Sequence, residues 1–333
     1  MAETRLSLQL TKCDNNEASD STSIQPALLH RLRGEVSILA LAVHHSNIYA
    51  GTQDGDLLVW SLDTYEELAR FRAHRGSLLC LCVSDDGDML FSSAGDAFVN
   101  VWSTTTFQRL YSIYSSYDVG DVFCLAYSST LQTVYLGAQN TSIQWYDLSR
   151  RDLRPPPDPI SHPSYRNHRF FDSKDPAGRS TPRPQSAEDN RAIGGRELQI
   201  EQEHIVQYAH YGYVYCMLLA HSLNTSHHYG ETLISGGGDG TIKLWALTSG
   251  SAGTIKELGS LENGDASVLT IAMYDTLLYS GKLEGDIDVW DLETCQLIRR
   301  MRAYSEDVLT VSIGHELIFT GSSWGTAKVR CIT

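Results

Sequence analysis

The stretch "SGGGDGTIKLWAL", residues 235–247, combines a glycine run, an acidic residue and an alternating tail that holds a tryptophan. It can be a loop that cradles phosphate or a tight turn between two strands. A phosphate loop needs a lysine followed by Ser or Thr at a set distance from its first glycine. Here Gly240 is followed by Thr241 and Ile242, Lys243 alternates with apolar residues, and Asp239 would turn negative charge toward a phosphate. Asp-Gly between alternating hydrophobics is instead the strongest short-range hairpin signal. Recurrence decides between them.

The pattern returns as "AGTQDGDLLVWSL" (50–62), "SSAGDAFVNVWST" (92–104), "LGAQNTSIQWYDL" (136–148) and "SGKLEGDIDVWDL" (280–292), with a weaker copy "TGSSWGTAKVRCI" at 320–332. The tryptophans stand at Trp60, Trp102, Trp145, Trp245 and Trp290, with Arg330 in the sixth slot. Their steps are 42, 43, 100, 45 and 40 residues. A period of 40–45 with glycine, turn, strand and tryptophan resembles the WD repeat, in which four antiparallel strands make one propeller blade. Short apolar runs such as "SLLCLCV" (77–83) supply the inner strands, and polar runs such as "EELARFRAH" (66–74) the outer ones. The expectation is an all-β propeller over residues 28–333, with six recognisable four-stranded blades and a seventh missing. Residues 1–27 are expected to be a disordered tail. Closure is expected from "ALLHRLR" (27–33), with residues 28–32 paired against 326–331.

WD repeats often carry a buried set of His, Ser, Asp and Trp joined by hydrogen bonds. By that resemblance the second blade has His74, Ser92, Asp96 and Trp102, and the fourth has His210, Ser235, Asp239 and Trp245. The same residue types could form a catalytic triad, but their repetition in two blades favours a structural role. The sixth blade has Tyr304, Trp324 and Arg330 where His, Asp and Trp would stand. "GSSWG" (321–325) matches a nucleophile elbow, yet that motif needs a helix after it, and "TAKVR" is strand-like.

The net charge of −14 disfavours a nucleic-acid partner, and no apolar stretch is long enough to span a membrane. Seven cysteines without a CxxC pair read as free thiols in a reducing, cytoplasmic setting rather than as zinc ligands. No cofactor or metal site is expected. The 100-residue step marks an insertion at about 149–203, rich in proline and read as flexible. Residues 149–196 carry a local charge of +4, which leaves −18 on the rest of the chain.

"YRNHRFFDSKDPAG" (165–178), "IVQYAHYGYVYC" (205–216) and "SIYSSYDVGDVFCLAYSSTLQTVYLGAQN" (112–140) are far more specific than the WD pattern. Through them the chain, over about residues 28–330, resembles the N-terminal propeller of the fungal glutathione-degradosome peptidase family. In that family a WD domain precedes a seventh blade and a metal-dependent peptidase domain of the M20 type. The resemblance implies hydrolysis of the γ-glutamyl bond of glutathione by the full-length subunit, together with a glutamine-amidotransferase-like partner. No His, Asp and Glu cluster here matches the family's two-metal site, so no metal ligand carries over. The expected function is a non-catalytic protein-interaction scaffold. The alternative is a generic WD adaptor, for example in ubiquitin ligation.

Overall fold

The computed structural model describes residues 36–149, 195–221, 230–248, 254–262, 264–314 and 316–331. These form six sheets in chain order, built mainly of consecutive antiparallel strands. Blade one runs Ile38–His44, Asn47–Thr52, Asp56–Ser61 and Glu67–Arg72. Blade two runs Leu78–Val83, Met89–Ala94, Phe98–Ser103 and Arg109–Ser115. Blade three is Val122–Ser128, Thr133–Ala138, Ile143–Asp147 and the two-residue Ile205–Val206. Blade four is Val214–Ala220, Thr232–Gly237, Thr241–Leu247 and Ile255–Glu262. Blade five is Val268–Tyr274, Leu277–Lys282, Asp286–Asp291 and Gln296–Arg302, and blade six is Val308–Gly314, Leu317–Ser322 and Ala327–Cys331. Inner strands of successive blades lie side by side from blade one through blade six.

"SGGGDG" is a hairpin. Thr232–Gly237 pairs with Thr241–Leu247, and the Gly240 amide donates to the Gly237 carbonyl at 3.2 Å. Gly240 has φ +78°, and a Cβ there would strike the Gly264 carbonyl, so the turn demands glycine twice over. The "GSSWG" decoy resolves likewise as a turn between two strands, with Gly325 at φ +73° and Trp324 exposed.

Two sheets depart from the four-strand expectation. Blade six has three strands among the described residues. Residues 28–32, expected against 326–331, lie outside the described residues. Blade two has a fifth strand, Arg196–Ile200, laid parallel to Tyr111–Ser115. That strand corrects the insertion boundary of about 203: the chain is already in a sheet at Arg196. The cause is a two-residue alternation. Leu198 and Ile200 are fully buried in the core shared by blades two and three, while Glu197 and Gln199 point the other way. The chain thus leaves blade three, covers the outer edge of blade two, and returns through a 3-10 turn at Gln202–His204. Residues 150–194, the rest of the expected insertion, lie outside the described residues.

The core is layered between blades. Phe91 of blade two stacks on Tyr127 of blade three with ring centroids 4.5 Å apart, and Phe71 of blade one meets Trp102 of blade two at 4.9 Å. Cys124 and Cys216 sit in the same strand position of blades three and four, each thiol directed at a backbone carbonyl of the next blade. Burial pushes both thiols well above the ordinary range, which makes them poor nucleophiles.

Candidate functional site

The polar residues singled out by the repeat converge in blades two and four. His74 Nε2 lies 2.8 Å from Ser92 Oγ, and its Nδ1 lies 3.1 Å from Asp96 Oδ1. The Trp102 indole donates to the same Ser92 Oγ at 2.8 Å. In blade four the distances repeat: 2.8 Å for His210 to Ser235, 3.1 Å for His210 to Asp239, and 2.8 Å for Trp245 to Ser235. Each Asp sits at the hairpin turn, each Ser on the second strand and each Trp on the third, with the His arriving from the connection before the inner strand. A Cβ on Gly237 would collide with the His210 ring, so the glycine run is also what admits the imidazole.

The electrostatics follow from burial and partners. Burial alone would raise the Asp96 carboxyl, but the charge and hydrogen bond of His74, with the amides of Arg75 and Phe98, bring it below the usual range. Asp239 falls below its usual range the same way, the amides of Tyr211 and Thr241 and the His210 charge outweighing burial. Burial drives the His210 imidazole below its ordinary value against the pull of Asp239. The set looks like a Ser-His-Asp triad on paper. Ser92 and Ser235 are wholly buried and their oxygens are capped by an indole N–H, so no carbonyl substrate can approach either of them. These sets hold the blade corners.

Blade five fills the same corner with ions, which sequence reasoning missed. Asp288 is buried and accepts from Arg300 Nε at 2.7 Å, with Lys282 Nζ 3.4 Å away and equally buried. Trp290 keeps its place and donates to Ser280 at 3.2 Å. Blade six substitutes Tyr304, whose hydroxyl reaches the Thr320 carbonyl at 2.8 Å while Lys328 Nζ stands 4.2 Å over its ring. Trp324, which occupies the Asp slot there, is solvent-exposed, and Arg330 is half-buried. Trp60 and Trp145 are buried in their blades, Trp145 against the His204 ring at 5.5 Å.

The surface feature that stands out is aromatic. Phe123, Tyr213 and Tyr215 cluster at the starts of the inner strands of blades three and four, with centroids 5.3–5.9 Å apart. Tyr208 and Tyr211, on the connection into blade four, are exposed beside them in the chain. Among the described residues one group has metal-binding geometry, Glu201, Glu203 and His204, at the 3-10 turn. No helix among those residues is long and apolar enough to cross a membrane.

The model of the family described as "WD domain, G-beta repeat" matches residues 65–103 and 202–246, the segments that hold both hydrogen-bonded sets. Among the described residues the fold is an all-β propeller of six blades, two segments of which match the WD repeat. The chain is 30% identical over 344 residues to the "Probable di- and tripeptidase DUG2" of Saccharomyces cerevisiae, a match covering 90% of this propeller and 39% of that relative. It therefore spans well under half the length of that relative. A shorter match joins it to "Autophagy-related protein 18" of Schizosaccharomyces pombe, 25% identical over 117 residues, 33% of this chain and 31% of that one. Among solved structures, the RRP9 WD40 repeats align with a TM-score of 0.63 at 16% identity, covering 90% of this chain and 77% of that one. U3-55K aligns with a TM-score of 0.62, also at 16% identity, covering 90% and 78%. At those identities the likeness is one of fold.

Proposed function

We propose that this propeller is the non-catalytic scaffold of a glutathione-degrading assembly, holding a glutamine-amidotransferase-like partner in the cytoplasm. The observation that carries this reading is the DUG2 similarity, which extends over 90% of the chain rather than over isolated repeats. The loop segments at 165–178 and 205–216 support it, because they carry the specific family resemblance and owe nothing to the WD pattern. Ser92 and Ser235, the hydroxyls bonded to histidine Nε2 in blades two and four, are buried and capped by an indole N–H, which supports a binding role over bond cleavage. Tyr208, Tyr211 and the Phe123 cluster offer the docking patch, since exposed tyrosines supply large rigid contact area at little entropic cost.

The test pairs activity with binding. Purified chain with added zinc is expected to leave glutathione intact, and to bind an amidotransferase-like subunit in a surface-resonance assay. Tyr211→Ala is expected to weaken that binding by about tenfold or more with no change in melting temperature. Glutathione turnover by the isolated chain, or no binding at all, would overturn the reading.

A further inference from the structure

The turn Gln202–His204 stands between two segments that are each held in a sheet. Before it, Arg196–Ile200 runs parallel to the outer strand of blade two, with Leu198 and Ile200 buried. After it, Ile205–Val206 pairs with Ile143–Asp147 as the outer strand of blade three. The turn is thus fixed at both ends, and it gathers Glu201, Glu203 and His204 in four consecutive residues. One ligand atom from each of the three lies within 4.8 Å of the other two.

The histidine separates this group from an ordinary acidic turn. His204 is 4% exposed, and its ring packs against Trp145 with centroids 5.5 Å apart and planes 35° off parallel. That contact fixes the imidazole plane. Its Nε2 then faces Glu203 Oε1 at 3.8 Å, longer than a hydrogen bond. Zinc sits about 2.1 Å from nitrogen and carboxylate donors, so two of its ligands stand at most about 4.2 Å apart. The Nε2 to Oε1 distance already falls within that limit. The Glu203 side chain is 70% exposed, so it can turn to close on an ion without disturbing the core.

We propose that Glu201, Glu203 and His204 form a site for a divalent transition-metal ion. Zinc is the ion this donor set suits best, with water completing the shell. One imidazole nitrogen and two carboxylates match a borderline cation, whereas calcium and magnesium take oxygen donors and softer ions take thiolates. Two carboxylates also balance the charge of the ion. The ion would clip the turn through which one segment covers the edge of blade two and then completes blade three. Glu-x-Glu-His lies outside the usual ligand spacings, which is why no metal site is expected from the sequence. A protonated His204 paired with Glu203, with no ion between them, is the competing geometry.

Zinc chloride and cobaltous chloride are the probes, added to the full chain after treatment with EDTA and dialysis. Calorimetric titration at neutral pH is expected to show zinc binding that the double variant Glu201→Gln and Glu203→Gln weakens by about tenfold or more. Neither carboxylate is buried, so that variant should melt as the parent does in EDTA. Saturating zinc is expected to raise the melting temperature of the parent by about 3 °C or more, and calcium to leave it unmoved. Bound cobalt is expected to quench tryptophan fluorescence, and Trp145→Phe to remove most of that quenching. No zinc binding, binding that the double variant keeps in full, or a cobalt spectrum with a thiolate charge-transfer band would each overturn the site. Zinc binding that leaves the melting temperature unchanged would overturn the clip.

Discussion

Ser235 of blade four lies across the sheet from Lys243, and Ser280 of blade five lies across from Asp288. The two slots are one position of the repeat, yet they carry opposite charges in opposite surroundings. The Lys243 side chain is 16% exposed and pairs with a half-exposed Glu257 at 3.2 Å. The Asp288 side chain is fully buried between Lys282 and Arg300. Blade four fills its corner with the His210–Asp239–Ser235 set and pairs the strand slot with the half-exposed Glu257. Blade five has no such histidine and carries its ionic group inward. Blades four and five thus both fill the corner and bond the serine to the tryptophan, but with different chemistry.

The largest effect should come from Asp288→Asn. It would leave the Lys282 ammonium buried with its carboxylate partner gone, a loss of about 3–5 kcal/mol in systems of this kind. Urea unfolding monitored by tryptophan fluorescence measures it. A cost under ~1 kcal/mol would mean that Lys282 finds water or a carbonyl, and that the triad is not what holds blade five. His210→Ala should come next, at about 2–4 kcal/mol. It removes two hydrogen bonds and opens a void against Gly237, while Asp239 keeps the amides of Tyr211 and Thr241. If it costs more than Asp288→Asn, the neutral corner is the stronger design and the comparison reverses.

The blades were legible in the sequence because each carries its own punctuation: a glycine, a turn residue and a tryptophan at fixed spacing. His74 and His210 could be named for the same reason, since each stands just before its inner strand, four residues ahead of Leu78 and Val214. The Lys282–Asp288–Arg300 triad lacks that advantage. Its members read as ordinary alternating strand residues, and only the register of three adjacent strands shows that they meet. The strand Arg196–Ile200 was hidden differently. Its alternation is short, no turn or tryptophan marks it, and its parallel partner lies more than 80 residues back, a pairing no local pattern encodes.

A pH series separates the corners more finely. The folded His210 value lies below 6.5 because of burial, so above pH 6.5 the ring is neutral in both states and has no effect on stability. As pH falls below 6.5 the unfolded chain takes up a proton that the folded chain refuses, and stability declines until the folded value is reached. His210→Gln should flatten that decline, whereas Asp288→Asn should leave its slope intact, because the blade five triad contains no histidine. Asp239 acts in a separate and lower window: its depressed carboxyl stabilises above its ordinary value of 3.8 and loses that contribution as pH falls through the folded value. A slope between about pH 7 and 5 that survives His210→Gln unchanged would assign it to other histidines.

The smallest effect tests the strand slot itself. Lys243→Gln removes a pair that is screened by solvent on the Glu257 side, and exposed pairs contribute about 0–1 kcal/mol. The lysine also stands 5.6 Å from the Trp245 ring and lowers the His210 titration by like-charge repulsion. Removing it raises the folded His210 value toward 6.5, so the acid decline should become shallower and end at slightly higher pH. Stability at about pH 8, where the imidazole is neutral in both states, should hardly change. The comparison with Asp288→Asn holds the slot constant and varies the charge, its partners and its burial. If Lys243→Gln proves as costly as Asp288→Asn, the slot is structural in both blades, and the distinction between a surface pair and a buried triad fails.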